Sequence, residues 1–142
     1  MSELVKLGGY VVQGHGTDET VLWEGSAENS ITLSESVNNF ERILIIGQQR
    51  DEQSRCTSTE IDTLSTTDHI FSLRMVFAGS TNLYDFIGCY NIDNTGTTIT
   101  LASGGYLRWS NQGASSVTIA FVTATNPFYI RKVIGISRKG GV

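Results

Sequence analysis

Apolar residues in this chain recur mostly at every second position, in short runs separated by polar and glycine-bearing turns. The clearest run is His69–Phe77. Ile70, Ser72, Arg74 and Val76 fall on one side of it, and Phe71, Leu73, Met75 and Phe77 on the other. A period of two describes a strand, and the unbroken apolar side predicts a core-facing stripe. The run Ser116–Ala124 alternates in the same way. It predicts Val117, Ile119 and Phe121 inward, with Thr118, Ala120 and Val122 outward. Ile43–Ile46 is apolar at every position, so both faces of that strand are expected to be covered. No window of 11 residues sustains a helical period, and a single helical turn is predicted near Glu35–Phe40.

The predicted strands are Thr20–Glu24, Ser30–Leu33, Arg42–Gly47, Thr57–Leu64, His69–Phe77, Phe86–Ile92, Thr97–Ala102, Gly105–Trp109, Val117–Thr123 and Phe128–Ser137. Asp93–Gly96, "DNTG", lies between two of them and predicts a hairpin turn. Leu22 and Leu33 are candidate inward anchors, Ser26–Asn29 an exposed loop, and Phe40 a residue tucked beneath the sheet. Short, regularly spaced strands with turn signals between them predict an all-β, single-domain antiparallel β-sandwich of jelly-roll type with 8–10 strands. The predicted organisation is an N-terminal arm over residues 1–19 and the sandwich over residues 20–142.

The 142 residues suffice for one domain with its own core, and 39% hydrophobic with 17% charged residues fits a globular chain. No run approaches the roughly 18 apolar residues of a transmembrane helix, and "MSELVKLGGYVV" has no signal-peptide pattern. The expectation is therefore no membrane insertion. Net charge is −4. Nucleic acid is not an expected partner, because phosphate binding needs clustered Lys and Arg. The charge is uneven: residues 1–68 hold 12 of 14 acids and 4 of 10 bases. Cys56 and Cys89 sit in no metal-ligand spacing and are expected to be free thiols.

Catalytic patterns are missing from the chain. His15 in "QGHGTDE" reads as part of a polar turn, and His69 as a partly buried histidine at the start of a strand. No G-x-S-x-G, H-E-x-x-H or zinc spacing accompanies either. The pairs Asp18/Glu19 and Asp51/Glu52 are adjacent, so on a strand they face opposite sides and cannot act together. "SGGY" and "LGGY" lack the lysine and the strand–loop–helix context of a phosphate loop. The expectation is a protein that is not an enzyme and needs no cofactor or metal.

Aromatic residues with polar neighbours carry the binding expectation. In "GGYLRWSNQG" a regular strand puts Tyr106 and Arg108 on one face and Trp109 on the other, followed by Asn111. "TNLYDF" places Tyr84 and Asp85 in one predicted loop with Asn82. A flat ring covers the apolar face of a pyranose while polar neighbours bond its hydroxyls. Trp109, Tyr106, Arg108, Asn111, Tyr84 and Asp85 are thus the candidate ligand-binding residues.

The segment "LWEGSAENSITLSESVNNFERILIIG" resembles the start of the C-terminal tip (head) domains of bacteriophage tail-fibre and receptor-binding proteins. Those domains open with an LW/LY-x-G strand and an x-I-T-L-S-x-S strand, then an S-N-Y/F-x-x-I/L segment. "YIRKVIGISRKGG" resembles their closing strand, with its I-x-K-I-I-G motif and basic tail. The matched motifs span about 35 residues at the two ends of residues 21–139. The middle, Arg50–Pro127, shares only the strand rhythm. The resemblance implies a jelly-roll sandwich packed as a homotrimer, located in the virion and made in the bacterial cytoplasm. It also implies attachment to a host cell-surface glycan, contacts with other virion proteins, and no catalysis. No binding residue carries over from it. Such tips follow a long fibrous shaft, whereas about 20 residues precede the matched strand here. A structural capsid or tail accessory protein of the same fold is accordingly the alternative expectation.

Overall fold

The computed structural model describes residues 18–50, 55–64, 69–78, 82–110, 118–123 and 126–140. Nine strands form among them: β1 Glu19–Ala27, β2 Ser30–Thr32, β3 Phe40–Gln49, β4 Cys56–Asp62, β5 His69–Ala78, β6 Leu83–Ile92, β7 Thr98–Ser110, β8 Thr118–Thr123 and β9 Phe128–Arg138. The first sheet has the order β1-β9-β3-β4. The second has the order β2-β7-β6-β5, with β8 also paired to β7. All pairings are antiparallel, and the two sheets pack face to face as the predicted β-sandwich. The first and last described strands lie side by side, with β9 between β1 and β3, and β7 returns beside β2. β5, β6, β7 and β8 form a meander.

The predicted stripe of β5 is core only in its first half, and Phe77 lies outside the core cluster. Phe71 and Leu73 are buried against Ile43, Ile45, Tyr90, Ile92 and Val133, with Met75 at the margin. Leu22, Leu33 and Phe40 are buried inward anchors, as the pattern predicts. The helical turn is a 3₁₀ turn at Val37–Asn39, whose first amides are capped by the Ser36 hydroxyl. The Asp93–Gly96 turn closes the β6–β7 hairpin. Gly96 has φ +76°, a left-handed conformation that a side chain strains, and its amide donates to the Asp93 carbonyl. The Asp93 carboxylate accepts from the Thr95 hydroxyl and the Thr97 and Thr98 amides, which hold it below the usual carboxylate range.

Both faces of β3 are covered in different ways. Ile43 and Ile45 are fully buried against the second sheet. Leu44 and Ile46 point to the outer side and are half-buried. There Leu44 pairs with Glu60 and Ile46 with Lys132, members of the ion pairs Arg42–Glu60 and Lys132–Glu24.

Several expectations change. Ser26 and Ala27, expected in an exposed loop, end β1, where Ala27 pairs with Ile130. Thr97–Ala102 and Gly105–Trp109 are one strand, β7, with a bulge opposite Cys89 and Tyr90 that absorbs the extra residue at Ala102. The second aromatic segment is a strand instead of a loop, since Leu83–Phe86 pair with β5 and β7. Ile119 and Phe121 face outward, at 56% and 52% exposure, because the register sets them opposite Trp109 and Leu107 on the face away from the first sheet.

Candidate functional site

The site lies on the inner face of the second sheet, at the Phe77–Tyr84–Arg108 end of its strands. Its foundation is the segment joining β8 to β9. Asn126 and Pro127 cross the inner face of the second sheet over Gly88 and Gly104. A Cβ on Gly88 would come within 2.9 Å of the Asn126 side-chain oxygen, and one on Gly104 within 3.1 Å of the Asn126 Cα. Only a bare backbone admits the crossing. Asn126 is buried, and its amide nitrogen donates to the Tyr90 hydroxyl at 2.7 Å and the Glu28 carbonyl at 2.8 Å. Its side-chain oxygen accepts from the Phe128 amide at 3.0 Å. Burial pushes the Tyr90 hydroxyl up to about 12, partly opposed by the Asn126 donor.

Beyond this crossing, the inner face of the second sheet carries an aromatic shelf. Phe77, Tyr84 and Phe86 stack with ring centroids 5.3–5.9 Å apart. Tyr106 meets Tyr84 edge-on at 5.8 Å and Phe86 at 5.4 Å. The pattern is cross-strand stacking, since Phe77 pairs with Tyr84, and Phe86 with Tyr106. None of these rings is fully buried except toward its neighbours; Tyr84, Phe86 and Tyr106 are all half-buried. Arg108 pairs directly with Tyr84 and so shares its face. At the other side of the row the Arg55 guanidinium lies over the Phe77 ring, 4.3 Å from its centroid. The Asn82 amide donates to the Tyr84 hydroxyl at 3.1 Å. The Arg108 Nε is buried with no hydrogen-bond partner among the described residues.

The six sequence candidates therefore divide. Tyr84, Tyr106 and Arg108 come together on the shelf. Trp109 and Asp85 lie on the opposite, outer face of the same strands, in register with Leu83 and Leu107. Asn111 lies outside the described residues, as does His15. Tyr84 and Asp85 cannot serve one ligand, because neighbours on a strand face opposite sides. Sequence reasoning missed Phe77, Phe86 and Arg55. Phe77 and Phe86 were visible as aromatics two positions from Met75 and Tyr84, but only the β5–β6 register joins them.

The outer face is apolar. Val76, Ile119 and Phe121 are each more than half exposed, beside half-buried Leu83, Ile87, Leu107 and Trp109. One ion pair interrupts it: Asp85 is buried and held by Arg74, whose Nε lies 3.3 Å from Oδ1. The carboxylate beside it raises the Arg74 guanidinium further above its ordinary value. The Trp109 indole nitrogen is buried without a partner among the described residues.

At the far end, Ile70, Asn91, Asp93, Asn94 and Thr100 line a shallow depression. Its Asp93 carboxylate is already engaged by its own turn. His69, at that end, is buried and sits 3.1 Å from the Asn38 side-chain oxygen. Cys56 and Cys89 are free and lie on the outer faces of different sheets. Among the described residues no three His, Cys, Asp or Glu side chains gather as metal ligands, and no helix is long and apolar enough to cross a membrane.

No protein-family model, curated protein or solved structure matches the chain.

Proposed function

We propose that this chain is a non-catalytic recognition module: a bacteriophage virion protein whose sandwich forms a homotrimeric tip and attaches to a host cell-surface saccharide. The single observation that carries the binding part is the aromatic shelf. It offers partly exposed tyrosine rings for the C–H face of a pyranose. Asn82, Arg55, Arg108 and the Tyr84 hydroxyl stand beside them for its hydroxyls. The virion part of the reading rests on the resemblance of the two chain ends to phage tip domains. A screen of the protein on immobilised bacterial glycans tests it. Binding that is lost in Tyr84→Ala and Tyr106→Ala, with unchanged circular dichroism, supports the reading. No retention on any glycan overturns it.

A second reading is a structural capsid or tail accessory protein. The apolar outer face of β5–β8 favours it, since a charge-poor surface suits protein contacts. Recovery of virion proteins in a pull-down, without cell or glycan binding, selects this reading over the first.

A further inference from the structure

We infer that the shelf selects saccharides bearing an anionic group, a carboxylate or a phosphate, over neutral ones. The inference rests on the saccharide reading above and adds the charge class of the ligand.

Phe77, Tyr84 and Arg108 form a row of directly paired residues across β5, β6 and β7. Adjacent strands lie about 4.8 Å apart, so the two ends of this row are separated by about 10 Å. Arg55 covers the Phe77 end and Arg108 forms the other. A sugar ring laid on Tyr84 therefore has a guanidinium on either side. Guanidinium groups recognise carboxylate and phosphate through paired N–H donors, which neutral hydroxyls match poorly. The Arg108 side chain is partly exposed, and its Nε has no acceptor among the described residues.

The local charge agrees. β5, β6, β7 and β8 contain one acidic residue, Asp85, and it faces the opposite side, bound to Arg74. Glu28, near the same end as Asn126, is ion-paired with Arg50. On the described strands β5–β8 the shelf face thus carries Arg108 and no acid, with Arg55 over its Phe77 end.

The test is titration calorimetry of the full chain with galactotriose, trigalacturonate and a galactotriose phosphate, at two ionic strengths. The expected result is binding of at least one anionic sugar about tenfold tighter than the neutral one, weakening with salt. Arg108→Gln and Arg55→Gln should each weaken the anionic sugar about tenfold more than the neutral one and so erase that preference. Arg55 lies at the margin, so it keeps the test readable if Arg108→Gln does not fold. Which anionic sugar binds tells carboxylate from phosphate. Equal affinity for all three, or a neutral preference, overturns the inference while the saccharide reading stands. A lack of binding by any of the three overturns the inference; failure across the wider glycan screen overturns the saccharide reading too.

Discussion

Replacing Asn126 with alanine should be among the most damaging single changes in the described part of the chain. The side chain is buried and makes three hydrogen bonds, to the Tyr90 hydroxyl, the Glu28 carbonyl and the Phe128 amide. Its removal strands three groups inside the protein. Each buried polar group left without a partner costs about 1–3 kcal/mol. Water entering the vacated space would satisfy part of that demand, so the loss should be about 3–5 kcal/mol. That is a large share of the roughly 5–15 kcal/mol of a typical domain. Tyr90→Phe is the control. It removes one hydroxyl but leaves the Asn126 amide bonded to Glu28, so its cost should be about 1 kcal/mol. Urea unfolding of both variants and of the double variant reads the difference from the midpoints at constant slope. The double variant should cost less than the two single losses together, because the Tyr90–Asn126 bond is broken only once. An Asn126→Ala loss below 1 kcal/mol would refute the view that this residue fixes the crossing. So would full additivity in the double variant.

Other outcomes follow from the same geometry. Tyr90 is neutral in the folded protein to about pH 12, whereas an exposed tyrosine ionises near 10. Its burial contributes stability that is present below about pH 10 and lost as pH rises to about 12, on the order of 2–3 kcal/mol; alkaline unfolding should show this loss, and Tyr90→Phe should lack it. Arg74→Ala should destabilise by about 2 kcal/mol, because it leaves the buried Asp85 carboxylate unpaired, while Arg74→Leu with Asp85→Leu should cost less; thermal unfolding of the two variants checks the order. On the proposed homotrimer, with the apolar outer face as the contact between copies, Phe121→Lys should lower the mass measured by light scattering toward the 15.5 kDa of one chain, with little change in melting temperature, since the ring is half exposed. A trimer unchanged by Phe121→Lys would place the contact between copies elsewhere.

The strand framework was legible because its cause is local. Alternation at Phe71, Leu73 and Met75 states which residues share a face, and the core stripe followed. Alternation does not state which face turns inward, and this is where Ile119 and Phe121 were misplaced. They belong to a strand at the end of the second sheet, where the inner direction is set by the β7 register. Tyr84 and Asp85 read as a loop because Asn82 and Asp85 are polar. In the fold, Tyr84 gains a stacking partner in Phe77, and Asp85 gains Arg74, both from a neighbouring strand. Such partners are supplied by pairing between segments, which composition does not reveal. The grouping of Tyr106 with Arg108, and their separation from Trp109, needed only a regular strand. Their union with Tyr84, Phe77 and Arg55 needed the whole sheet. Asn126 left one trace, its position before Pro127, the chain's single proline.

The most direct test of the account is an NMR titration of the full chain with bacterial surface polysaccharide. The expected result is shift changes concentrated at Phe77, Tyr84, Phe86, Tyr106 and Arg108, on the inner face of the second sheet. Changes confined to Val76, Leu107, Ile119 and Phe121 on the outer face, or none on either face, would contradict it.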